Sequence, residues 1–209
     1  MEAAAVELAS LEVDGLQLTP GCAPTEGFDD WVDQCGLAIR THQGFSFRAL
    51  RSQVWGPGGE LLVASDSVHP PRPGNTDIDA WWEVLEAHGL SCCLEVMYPP
   101  HPMGRGRDLE RAMDAGLGLA VDVSHLHIQR TQGALSDATL ARLLNYERVE
   151  EIHVSGNNGH RDQHRPLVAG DFGLGWARER SGDIPVVLES YLHALDSQAR
   201  EDMIEMVLA

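Results

Sequence analysis

Apolar residues in this chain fall into short runs, separated by stretches where they recur at three- and four-residue intervals. The runs predict strands over Gly15–Thr19, Leu37–His42, Leu61–Val68, Ser91–Met97, Leu117–Ser124, Glu151–Ser155 and Pro185–Glu189. Most are continuous rather than alternating, as expected of strands buried on both faces of a parallel sheet. The intervening stretches predict helices. Asp77–Ala87 and Asp108–Ala115 carry apolar residues at helical spacing, and Gly116 is placed to end the second. Ser136 is a suitable N-cap for a helix reaching about Tyr146, and Asp196–Leu208 is an amphipathic closing helix. Strands alternating with helices build parallel βαβ units. The expected fold class is therefore α/β, a compact TIM-type (β/α) barrel forming one domain over residues 1–209. That fold needs about 200 residues at least, so the barrel is expected to be trimmed to seven or eight strands. Val6–Val13 is the candidate for an eighth strand; the alternative is a barrel that stays open.

Bulk composition narrows the function. With 43% hydrophobic and 22% charged residues the chain is globular rather than disordered. It has no apolar run of the length that spans a bilayer, and its start, Met1-Glu2-Ala3-Ala4-Ala5, lacks a signal peptide's basic region and apolar core. A soluble, cytoplasmic protein without a membrane partner is expected. The net charge is −17, and all 15 basic residues are arginine. Such a surface repels a phosphate backbone, so no nucleic-acid partner is expected. Cys22, Cys35, Cys92 and Cys93 form no C-x-x-C pair, and the adjacent Cys92 and Cys93 read as core filling within a strand.

The chemistry lies in what stands at the strand ends. His42 closes the second predicted strand and His69 the third, Glu95 lies near the end of the fourth, and Asp122 and His125 end the fifth. His153 is in the sixth, Asp162 and His164 follow in its loop, and Glu189 ends the seventh. A parallel barrel gathers the C-terminal ends of its strands on one face, where active sites of this architecture form. Burying four carboxylates there without cations would be very costly, so the register of these residues points to a metal site. Arg161 and Arg165 flank Asp162 and His164 and are weaker candidates for binding an anionic substrate group. His127, next but one to His125, is a candidate either to support that residue or to serve as a ligand itself, and Trp81-Trp82 reads as packing.

The order His, His, Glu, Asp-x-x-His, His, Asp-x-His, Glu resembles the xylose isomerase-like TIM-barrel superfamily, and most closely the endonuclease IV pattern, over about residues 36–190. Asp122-Val123-Ser124-His125 looks like that group's Asp-x-x-His. His153-Val154-Ser155-Gly156-Asn157, Asp162-Gln163-His164 and the glycines Gly170, Gly173 and Gly175 are similar to its His-strand, Asp-x-His and glycine-rich turn. The resemblance implies a cluster of one to three divalent ions. Glu95 and Glu189 would lie nearest the reacting metals, and Asp122, His125 and His153 would complete their shells. His42 and His69 would serve a second position, and Asp162 and His164 a third. Carboxylate and imidazole without cysteine suit zinc, manganese or iron. The chain departs from the endonuclease in its short loops and its lack of lysine.

Three reactions fit this ligand set. The breadth of the superfamily favours an isomerase or epimerase of a small polar metabolite, with Glu95 and Glu189 moving a proton between carbons beside a divalent ion. The pattern is also similar to the DUF692 family of multinuclear iron oxidases, which modify peptides and share the barrel and a similar Asp-x-His. The endonuclease likeness suggests metal-dependent hydrolysis of a small phosphoester. The expected partner is a small molecule or a peptide. An exposed strand edge would be a reason to form a homodimer.

Overall fold

The structure is a computed structural model that describes residues 2–21, 25–48, 53–192 and 195–208, so Cys22 and His193 lie outside the described residues. Its strands are β1 (Gly15–Leu18), β2 (Ala38–Thr41), β3 (Ser67–Val68), β4 (Cys93–Glu95), β5 (Leu119–Asp122), β6 (Val149–Val154) and β7 (Val186–Leu188). Its helices are α1 (Glu2–Ala9), α2 (Phe28–Gln34), α3 (Ile78–His88), α4 (Gly106–Asp114), α5 (Val123–Thr131), α6 (Asp137–Leu144), α7 (Leu174–Arg180) and α8 (Ser197–Leu208). Every strand pairs in parallel with its sequence neighbour, as βαβ units require.

The closed barrel expected from the sequence does not form. β1 and β2 make a two-stranded sheet, while β3 to β7 make a five-stranded half-barrel. A single parallel bridge between His42 and Ser67 joins the two, flanked by Asp66 N–H donating to Thr41 O (3.0 Å) and Gln43 N–H to Ser67 O (2.9 Å). Among the described residues no ladder connects β7 back to β1. The proposed eighth strand over Val6–Val13 is not one. Its first half continues the alanine-rich helix α1, where good helix formers outweigh the apolar count. Its second half is a turn in which Val13 N–H bonds Leu11 O at 2.8 Å.

The strands are also shorter than their apolar runs. Of Leu61–Val68, only Ser67 and Val68 are strand; Leu61 instead bridges back to Trp55 in antiparallel fashion. Gly59, at φ +89° in this turn, lies against Trp81, where a Cβ would come within 2.4 Å of the Trp81 Cα. Leu117–Ser124 ends early because Asp122 caps a helix. Its carboxylate accepts from Ser124 N–H (2.6 Å) and His125 N–H (3.0 Å), starting α5 at Val123.

Two further helices start at side-chain caps, of which Ser136 is the one read from the sequence. Asp77 accepts from Asp79 and Ala80 N–H and starts α3, whose Trp81, Trp82 and Leu85 are buried. Ser136 Oγ accepts from Thr139 N–H at 3.0 Å and starts α6. These helices pack over the half-barrel, and Leu94, Val96, Leu119, Val121, Ile152 and Val154 form the centre of the core. Burying such side chains contributes roughly 1.5–3 kcal/mol each. A smaller cluster of Ala5, Leu18, Phe28 and Phe45 lies under β1 and β2. Cys92 and Cys93 are buried free thiols, and burial pushes the Cys92 thiol up to about 11. Among the described residues, no helix is long and apolar enough to cross a membrane.

Candidate metal centre

The local rules just described set the position of each ligand candidate. His42 and His69 directly follow β2 and β3, Glu95 and Asp122 end β4 and β5, and Glu189 directly follows β7. His125 lies in the first turn of α5 rather than in a strand, turned inward by the Asp122 cap. His153 is in β6, paired with Asp122 on β5 and Val187 on β7. Asp162 and His164 are in the loop after β6, with His164 at φ +45°. Parallel register brings all nine to one end of the half-barrel.

Glu95 is the hub. Its Oε2 lies 3.1 Å from His69 Nε2, 3.4 Å from His42 Nε2 and 3.7 Å from His153 Nδ1, and its Oε1 lies 3.4 Å from His125 Nδ1. His153 Nδ1 is 3.2 Å from Glu189 Oε1. His125 Nε2 is 3.6 Å from Asp162 Oδ2, and His164 Nε2 is 3.1 Å from that same oxygen. Three overlapping sets have one donor atom from each residue within 4.8 Å of the others: His42, His69, Glu95; Glu95, Asp122, His125; and Asp122, His153, Glu189.

Burial makes this a high-energy arrangement. Glu95 is 1% exposed and Asp122 and His153 are 0% exposed. Burial alone would raise the Glu95 carboxyl, but His69, His153 and His42 outweigh it and hold Glu95 well below the ordinary carboxylate range. Asp162 is held low as well, against its own burial, by the neighbouring His125 and His164 imidazoles. The imidazoles respond in kind. His125 is pushed up to about 10, with Asp122, Asp162 and Glu95 overcoming its burial. His42 goes the other way, down to about 3, because burial dominates over Glu95. Burial also raises Glu189 to about 7, opposed by His153 and helped by Glu95 and Asp122. Ionised carboxylates in a dry basin call for cations, and protons on histidine are the cations available without a metal.

The donor atoms fit a metal by a second criterion. Glu95 Oε2, Asp122 Oδ2, His125 Nε2, His153 Nδ1, Asp162 Oδ1 and His164 Nδ1 are all buried without a well-aligned hydrogen-bond partner. Buried polar atoms are normally satisfied, so six such atoms around one basin form a donor set that could hold a metal ion. Carboxylate and imidazole donors suit zinc, manganese or iron.

Other candidates from the sequence fare differently. Arg161 and Arg165 are exposed and form no part of the cavity wall, which Arg72, in the loop after His69, does line. His127 stacks on Phe172 (5.4 Å) and bonds Asn157 (3.0 Å), so it braces the loop after β6. Trp81 and Trp82 are core. Sequence reasoning missed Tyr98, whose ring lies 4.9 Å from that of His125, and His101, whose ring lies 5.3 Å from Tyr98. It also missed Glu151, which is 0% exposed and 2.6 Å from His153 Nε2. The i, i+2 spacing of Glu151 and His153 within one strand was the available signal.

The cluster opens into a cavity of about 1910 Å³ that continues between β1 and β7. No protein-family model matches the chain, and no curated protein matches it.

Proposed function

We propose that this chain is a metal-dependent enzyme whose basin holds two or three ions, and that it is an oxidase working with iron on a substrate larger than a simple sugar. The observation that carries the multinuclear reading is the sharing of Glu95 and Asp122 among overlapping ligand sets, together with the orphaned donor atoms around them. One ion would leave much of that donor set without a purpose, which weighs against the single-metal isomerase reading. Glu95, Asp122, His125, His153 and Glu189 would hold the central ions, His42 and His69 one flank, Asp162 and His164 the other. Bound iron would supply electron transfer to oxygen.

The substrate class follows from space. Pockets for small ligands typically measure about 300–1,000 Å³, whereas this cavity is about 1910 Å³ and extends into the open side of the barrel. A peptide segment is the substrate class that uses such room. Glu189, with 18% of its side chain exposed, lies on the cavity wall and is placed to take a proton from a bound substrate. Tyr98 and Tyr191 line the same wall and offer aromatic surface to it. A second reading, hydrolysis of a phosphoester, draws on the same ligand set, with zinc in place of iron.

Elemental analysis of protein purified without added metal or chelator, with oxygen uptake measured on the same sample, tests this. Two or three equivalents of iron and slow oxygen consumption are expected, with both lost in a His153→Ala, Glu189→Ala double variant. Two or three equivalents of zinc without oxygen uptake would select the hydrolase. Failure to retain metal after reconstitution with iron, zinc and manganese would overturn the proposal.

A further inference from the structure

Glu151 belongs to the same polar cluster as the ligand candidates but differs from them in one respect: its carboxylate is saturated. Oε1 accepts from His153 Nε2 at 2.6 Å and from Gln17 Nε2 at 2.9 Å, and Oε2 pairs with the Arg40 guanidinium. The orphaned atoms of the basin belong to other residues; neither oxygen of Glu151 is among them. His42, Glu151 and His153 are close enough to form a fourth set of donors. A cation there would face the Arg40 charge and compete with bonds already made. The geometry points to Glu151 as a positioning residue: through Arg40 and Gln17 it fixes the His153 ring with its proton on Nε2, so that Nδ1 is the atom offered to the metal basin. This rests on the metal reading of that basin.

Three features support it. First, the two ring nitrogens of His153 have opposite surroundings. Nε2 has a bonded carboxylate, while Nδ1 is buried, unbonded and directed between Glu189 (3.2 Å) and Glu95 (3.7 Å). A histidine ligand commonly gives its second N–H to a carboxylate, which fixes the ring and makes it a better donor. Second, the supports of Glu151 come from far away in sequence. Gln17 is on β1 and Arg40 on β2, so the two-stranded sheet reaches across the interior to β6 on the half-barrel. Third, the flanking sheet repeats the device. Ser67 Oγ lies 2.9 Å from His42 Nδ1, leaving His42 Nε2 toward His69 and Glu95. The ligand ends of β2 and β6 are thus each oriented from behind by a polar partner.

The test has two readouts, taken on the full chain in metal-free and zinc-loaded forms. The first is the exchange-protected Nε2–H proton of His153, observed by nitrogen-15 NMR and assigned by its absence in His153→Gln. It is expected in both forms of the parent, and is expected to move upfield or vanish in Glu151→Leu. The second is zinc affinity, expected to fall about 10–100-fold in Glu151→Leu and by less in Glu151→Gln, which keeps an acceptor. Zinc bound through Nε2 of His153, or unchanged affinity in a folded Glu151→Leu protein, would overturn the inference. If Glu151→Leu does not fold, the parent proton and Glu151→Gln still decide it. A parent that shows the protected proton but takes up no zinc, iron or manganese would remove the proposed function while leaving the His153–Glu151 bond established. A parent without that proton in either form would remove the positioning role alone.

Discussion

His42 and Glu151 show how much one residue's surroundings can change its chemistry inside a single basin. Burial lowers the His42 imidazole from 6.5 to about 3, so in the folded chain it stays neutral where an unfolded chain takes up a proton. Glu151 is lowered from 4.5 to about 2: burial works against this, and His153, Ser67 and Arg40 overcome it. Both folded values are depressed, so in both cases the unfolded state binds the proton first on acidification. Stability is therefore present above the unfolded values and is lost as pH falls, first through about 6.5 for His42 and then from 4.5 toward 2 for Glu151. Glu189, raised to about 7, acts in the opposite sense between about pH 7 and 4.5, so the contribution of His42 is read as the difference between the parent and a His42→Gln variant. In metal-free protein the urea midpoint of the parent should fall relative to that of His42→Gln as pH drops below about 6.5. A parent–variant difference that stays constant between pH 7 and 5 would show that His42 titrates freely and that the basin is wetter than its burial indicates.

At the scale of elements, the junctions carry most of the information. Asp122 is both the last residue of β5 and the cap of α5, so one carboxylate ends a strand, starts a helix and faces the basin. Ser136 does only the second of these, starting α6, which makes it a cleaner probe of capping. Ser136→Ala removes the bond to Thr139 N–H and should cost about 1 kcal/mol without altering metal content. A loss under a few tenths of a kcal/mol in denaturant titration would mean that the neighbouring Thr139–Glu110 bond (2.7 Å) already holds this turn. The Ser136 cap was legible in the sequence because its chemistry is local. The strand ends that carry His42, His69 and Glu189 were legible for a related reason, since each candidate closes a predicted strand, whereas Glu95 stands inside its apolar run, before Val96 and Met97. The extents of β3 and β5 were not. Leu61 packs through a turn fixed by Gly59 against Trp81, and Val123 continues an apolar run into a helix, so both runs look like strand until tertiary contacts are known. Glu151 was missed because an acidic residue in a strand reads as solvent-facing unless its partners on β1 and β2 are in view.

For the molecule as a whole, the open side between β1 and β7 decides what must hold the fold together. A closed barrel ties its first and last strands by a ladder. Here the two-stranded sheet is held to the half-barrel by the His42–Ser67 bridge, by Gln17 and Arg40 on Glu151, and by Glu7 with Arg200 between α1 and α8. Metal ions would add a stronger tie, since the candidate ligands run from His42 after β2 to Glu189 after β7 and would join both sheets at one point. The net charge of −17 adds repulsion that bound cations would partly offset. A ligand that binds only the native state stabilises it by about 4.1 kcal/mol at a thousand times its dissociation constant. For a chain of this length each kcal/mol moves the midpoint by about 2–4 °C. Saturating metal should therefore raise Tm by about 10 °C over chelator-treated protein. Hydrogen exchange should slow in β2 and β7 together, because a cluster that shares Glu95 and Asp122 would reach from His42 to Glu189. Stabilisation confined to β3–β7, with β1 and β2 exchanging as before, would mean that His42 takes no part in binding and that the two sheets are joined by protein contacts alone, the His42–Ser67 bridge and the Glu151 network among them.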